Sequence, residues 1–212
     1  MIALLPRWVW FLAWLLAFMA GMMNVVGLLS FEQQTITHLT GTTSQIAAAL
    51  VQPHTPMMGH LLLIIGAFLA GTVAGGTIIG NTPLQLGQRY SVVLGLEGVL
   101  LIAAVSALSK HSPWGVYALA AACGLQNAMT TIFSGAMIRS SHVTGMLTDL
   151  GIFIGHVLRG VRVELRRLRI CLDVITGFFI GSMVAAWSFP FMGYACLYLP
   201  AGIAVCLTGL NI

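Results

Sequence analysis

From Trp8 to Leu29 the chain carries no charged side chain, and five more long apolar runs follow, at 57–80, 90–108, 114–138, 171–189 and 192–210. A helix needs roughly 20 apolar residues to cross the hydrocarbon of a bilayer. The runs therefore predict an all-α polytopic membrane protein with about six transmembrane helices. Composition agrees, with 7% charged and 58% hydrophobic residues, against about 25% charged in ordinary soluble domains. A soluble fold of this size could not cover so much apolar surface. The start, Arg7 followed by an apolar stretch ending in Ala17-Phe18-Met19-Ala20, mimics a signal peptide. The run continues to Leu29, so it reads as a retained first helix.

Turn-forming stretches separate the runs: 52–56 (Gln-Pro-His-Thr-Pro), 81–83 (Asn-Thr-Pro), 110–113 (Lys-His-Ser-Pro) and Phe189-Pro190. Tryptophan and tyrosine near run ends (Trp8, Trp10, Tyr90, Trp114, Tyr117, Trp187) suit the interfacial belt. The pairs Gly71/Gly75, Gly151/Gly155 and Gly177/Gly181 have the spacing that lets membrane helices approach closely. They also leave a face for a homodimer.

One short motif occurs twice. Thr37-His38-Leu39-Thr40-Gly41-Thr42-Thr43-Ser44 matches Ser141-His142-Val143-Thr144-Gly145-Met146-Leu147-Thr148. Upstream, Gly21-Met22-Met23-Asn24 matches Gly124-Leu125-Gln126-Asn127, and downstream the stretch 67–72 resembles 177–182. The chain thus reads as two homologous halves, 1–109 and 110–212. Both motif segments are too polar at one end for ordinary spans. If they re-enter without crossing, each half has three spans and the repeat is inverted. If they cross, there are eight spans and the repeat is parallel.

Basic residues favour the cytoplasmic side. Arg159, Arg162, Arg166, Arg167 and Arg169 read as a plain cytoplasmic loop. With six spans, Arg7, Arg89 and Arg139 join them and only Lys110 lies outside. With eight, Arg89 and Arg139 are outside, so six is favoured by one charge. Both arrangements put the two termini in the cytoplasm. This clustering accounts for the net charge of +4 without a nucleic-acid partner.

Broken helices survive in a bilayer only where protein or a water-filled cavity shelters them. In inverted repeats, their N-termini face substrate near the midplane. The motif fits that role: Thr40 and Thr144 as N-caps, Gly41 and Gly145 leaving backbone N–H groups open, His38 and His142 as donors or titratable sites. The same residues can also merely start a helix. Asn24, Gln126 and Asn127 lie within apolar spans and need partners. One asparagine per half suggests pairing with the motif of its own half. Thr43 and Thr148 complete the candidate substrate contacts. Glu97, near the middle of a span, and Asp149, whose counterpart is Gln45, are the candidates for proton or ion coupling. Asp173, beside the arginines, reads as a local ion-pair partner.

No metal or other cofactor is expected, because the six histidines and four cysteines lack ligand-type spacing. Nor is an enzyme expected: nucleophile elbow, phosphate loop and dinucleotide fingerprint are all missing.

The set Ala20-Gly21-x-x-Asn24, His38-Leu39-Thr40-Gly41-Thr42-Thr43, Gly124-Leu125-Gln126-Asn127-Ala128-Met129 and the stretch 141–151 resembles the YoaK family over nearly the whole chain. The resemblance implies a multi-pass protein of the bacterial inner membrane with a suspected transport role and no known substrate. The chain departs from the family at Asn24, commonly Asp, and at Thr42, commonly Asn. The expected function is a secondary transporter or channel for a small polar solute, an anion included. The rivals are a membrane assembly protein without flux and, behind it, an intramembrane enzyme.

Overall fold

α1 (Trp8–Leu29), α3 (Thr55–Ile79), α4 (Gln88–Ser109), α5 (Trp114–Phe133) and α7 (Leu165–Met192) are the long helices of the chain. Shorter ones lie between and after them: α2 (Leu39–Val51), α6 (Val143–Leu158) and α8 (Tyr198–Gly209), the last preceded by a 3₁₀ turn, Gly193–Leu197. This computed structural model describes residues 8–51, 55–80, 87–135 and 139–209, which hold no strand. Arg7, most of the 52–56 turn, the 81–83 turn and the last residues of the 114–138 run lie outside them.

Five helical stretches are long and apolar enough to cross a membrane: Trp8–Leu29, Met58–Ile79, Gln88–Ser109, Trp114–Phe133 and Leu165–Gly209. The protein is a polytopic all-α membrane protein. Its last stretch is not straight, for at Gly193 the backbone takes φ +55°, a conformation glycine adopts freely. Beyond it, α8 lies against α4 rather than α7, with Thr208 donating to the Ser91 carbonyl at 3.3 Å and Val205 over Gly98. With 13 and 16 residues, α2 and α6 reach only about 20 and 24 Å at 1.5 Å per residue, short of the roughly 30 Å hydrocarbon layer.

Two expectations are corrected here. The arginine cluster is not all loop: α7 begins at Leu165 and takes in Arg166, Arg167 and Arg169. Arginine is a good helix former, and Arg169 is placed by Trp10, 4.5 Å beneath its guanidinium, and by Asp173, 3.8 Å away one turn on. That contact makes Asp173 the local partner it was read to be. Nor does the chain turn at Phe189-Pro190. Pro190 sits inside the last turn of α7, and the reversal falls at Gly193.

Hydrophobicity cannot hold helices together in lipid, so close packing of small residues must. α1 packs chiefly on α7, and α3 chiefly on α5. Gly177 and Gly181 sit against the carbonyls of Trp14 and Phe18, so α1 and α7 run parallel. Gly71 sits against the Ala121 carbonyl and Gly75 against Ala128, so α3 and α5 also run parallel. Between the pairs the direction reverses. Trp8 meets Phe133 with ring centroids 6.3 Å apart, while Cys123 Sγ lies 3.8 Å from Met23 Sδ, so α1 and α5 are antiparallel. Gly151 and Gly155, by contrast, face open space.

The two interfaces repeat each other in detail. Gly21 lies under the Phe178 carbonyl, and Ser182 donates to the Gly21 carbonyl at 3.3 Å. Gly124 lies under the Phe68 carbonyl, and Thr72 donates to the Gly124 carbonyl at 3.3 Å.

Candidate functional site

Both motif segments end a linker and begin a short helix, and in each the histidine is the last residue before the helix. His142 has φ −90° and ψ 59°, outside the helical region, while its carbonyl accepts the Met146 N–H at 3.2 Å. The caps are therefore the histidine positions, not Thr40 and Thr144, which are already helical. The His142 side chain makes no cap bond. A methyl on Gly145 would run into His142 Nδ1, whereas Gly41 has open space around it. Lack of a side chain is thus needed in the second copy only.

The asparagines hold these linkers in place. Asn24 Oδ1 accepts both the backbone N–H and the hydroxyl of Thr37, at 3.1 and 2.9 Å. Asn127 Oδ1 accepts the Ser141 hydroxyl at 3.0 Å, while its Nδ2 donates to the Cys123 carbonyl at 2.9 Å. Each asparagine serves its own copy of the motif, as the sequence suggested. Thr37 Oγ1 also lies 2.7 Å from His38 Nδ1. Thr37 has a single hydroxyl proton. When that proton goes to Asn24, Nδ1 of His38 must donate and Nε2 is left as an acceptor. Burial, and after it the neighbouring His142, hold the His38 imidazole below its ordinary pKa.

His38 and His142 line one cavity of about 830 Å³. Its walls are the starts of α2 and α6, with Thr40, Gly41 and Thr144, and the C-terminal halves of α3 and α5, with Phe68, Thr72, Asn127 and Thr131. No aspartate or glutamate is among the lining residues.

The other candidate residues are placed elsewhere. Asn24 stands behind Thr37, and the buried Gln126 stands behind Ser140, whose hydroxyl donates to its Oε1 at 2.9 Å. Gly145 lies beneath His142. The hydroxyls of Thr43 and Thr148 turn back to the carbonyls of Leu39 and Thr144, at 2.8 and 3.0 Å, and both residues are exposed. Asp149 is half-buried where α6 faces α7, 3.2 Å from Arg167. Glu97 is fully buried in α4, with no hydrogen-bond partner for either carboxylate oxygen among the described residues.

Several cavity residues escaped the reading of candidates. Thr37 and Ser141 precede the histidine in both copies, so the repeat itself could have found them. Thr35 and Arg139 hold matching positions two residues earlier, and both line the cavity. Farther off, Glu32 Oε2 lies 3.3 Å from His60 Nε2, and His60 Nδ1 lies 2.8 Å from the Tyr117 hydroxyl. This chain of contacts ties the linker that carries Thr35 to His38 onto α3 and α5.

Residues 12–210 match the family model described as "Protein of unknown function (DUF1275)". The chain belongs to that family. The YoaK proteins that the sequence resembles are members of it. No curated protein and no solved structure matches the chain.

Proposed function

We propose that this DUF1275 protein is a secondary transporter or channel for a small polar solute, which binds in the cavity between the two motif segments. The observation that carries the reading is convergence: two copies of one motif, far apart in sequence, meet around one cavity in which their histidines and threonines stand among apolar side chains. The halves 1–109 and 110–212 are taken as an inverted duplication. The antiparallel course of α1 and α5 and the paired Gly21 and Gly124 contacts support this. Such symmetry favours alternating access, with one half rocking against the other.

The site consists of His38, Thr40, Gly41, Asn127, His142 and Thr144, with Asn24, Gln126 and Gly145 positioning them. Glu97 is the residue reserved for proton coupling, since a carboxyl without a partner at membrane depth is rarely structural. Asp149 is a poorer choice, because Arg167 already neutralises it. An inner-membrane location with both termini cytoplasmic fits the helix directions. Read from the α1–α5, α1–α7 and α3–α5 contacts, these directions leave Arg89, Arg159 and Arg162 together and Lys110 at the opposite end.

The test is uptake into proteoliposomes of labelled lactate, lactamide, phosphate and glycine, with intact protein and with His38→Ala plus His142→Ala. Flux of any of them that the double variant loses upholds the reading. Flux unchanged in the double variant removes the site. No flux, together with loss of thermal stability in the variant, leaves the assembly role instead.

A further inference from the structure

The cavity has one fixed charge among its described lining residues. Arg139 lines it, is exposed, and its guanidinium has no partner among the described residues. No lining carboxylate balances it. At the matching position of the other half stands Thr35, so the duplication that supplies two histidines supplies a single cation.

We infer that the solute is a small organic monoanion carrying a carboxylate, an inference that rests on the transport reading above. A guanidinium matches a carboxylate with two parallel N–H···O bonds. A neutral solute would leave the guanidinium without a counter-charge, and a cation would be repelled by it. A dianion would bring two negative charges to the one guanidinium among the described lining residues. Thr35, Thr40 and Thr144 line the cavity, and the N-termini of α2 and α6 both open onto it. Donors and helix N-termini of this kind favour negative charge. Phe68 and Ile132 give the same cavity an apolar wall, which suits an organic body better than a hydrated inorganic ion.

The experiment compares L-lactate with its near-isosteric neutral amide, L-lactamide, on the full chain. Binding is read by thermal shift in detergent and flux by uptake into proteoliposomes at pH 7.5. Lactate should bind and move at least tenfold better than lactamide. Arg139→Gln should erase that preference, and Arg139→Lys, which keeps the charge, should restore part of it. Elution of both variants as monodisperse protein separates loss of charge from loss of fold. Lactamide handled as well as lactate overturns the anion inference and leaves transport standing. Stronger binding of phosphate than of lactate overturns the monoanion assignment. Lactate binding that depends on Arg139, without flux of any probe, sustains the ligand class and sinks the transport reading. Neither binding nor flux removes both.

Discussion

Asn24 and Thr37 are joined by two hydrogen bonds onto a single oxygen, from the backbone N–H at 3.1 Å and the hydroxyl at 2.9 Å. Thr37 is thereby fixed one residue before His38, and the histidine inherits its position from an asparagine on another element. Replacing Asn24 by alanine strands the Thr37 N–H in a part-buried place and leaves its hydroxyl only His38 Nδ1 as a partner. A cost of about 1–3 kcal/mol is expected for the orphaned donor. Asn127→Ala strands only the Ser141 hydroxyl and should cost less, yet it should impair uptake directly because Asn127 lines the cavity. Melting temperatures in detergent, set beside uptake rates, check the order of both effects.

The two motif glycines should respond differently to the same change. Gly145→Ala drives a methyl into the His142 ring and must displace it, whereas Gly41→Ala meets nothing. The first variant should lose at least tenfold in uptake with little change in melting temperature. The second should stay within about twofold of the parent. The Gly41 N–H is not open as the sequence suggested, for it donates to the His38 carbonyl at 3.2 Å. Equal loss in both variants would mean that displacement of the His142 ring is not what sets activity.

Gly21→Ala and Gly124→Ala each push a methyl onto a backbone carbonyl, of Phe178 and Phe68 respectively. Backbone cannot step aside as a flexible side chain can. Each variant should be destabilised by about 1–3 kcal/mol or more, as overpacking generally is. Gly76→Ala, in open space on α3, is the control and should fall within about 0.5 kcal/mol, as surface changes do. Chemical unfolding in mixed micelles gives the comparison.

Acidification should weaken the fold through His38. Its folded pKa is depressed below 6.5, by burial first and by His142 second. Between that depressed value and 6.5 the unfolded chain binds more protons than the folded one, so stability rises with pH across the window. It is present above 6.5 and lost as pH falls towards the folded value. His38→Gln should flatten this part of the profile while the contribution of other groups remains. A melting temperature whose pH slope matches the parent's would show that His38 is not the group responsible.

Much of the fold was legible in the sequence because the bilayer imposes it: a charge-free stretch from Trp8 to Leu29 can only be a buried helix. Helix ends were less legible. Neither Pro190 nor the arginines stopped α7, since membrane helices accommodate an interior proline and arginine favours helix. The pairing of each asparagine with its own motif followed from the repeat, which is local information. The cavity did not. Arg139 looked like one more cytoplasmic charge, because nothing near it in sequence says that α3 and α5 will close around it. Thr43 and Thr148 fit the motif equally well on paper. One turn of helix aims them at carbonyls of their own helices instead.

The crossed partnership of α1 with α7 and α3 with α5 also sets a timetable for synthesis. α1 leaves the ribosome before α3, α5 and α7, yet the residues that seat its Gly21, Phe178 and Ser182, are translated only with α7. A chain halted after Ser109 holds α1 and α3 in the bilayer with their glycine faces still unmatched. The α3–α5 pair can close once α5 is inserted, but the α1–α7 pair only once α7 is. The earliest helix of the four is thus the last to find its partner, and a chain cut before α7 leaves the glycine face of α1 unmatched.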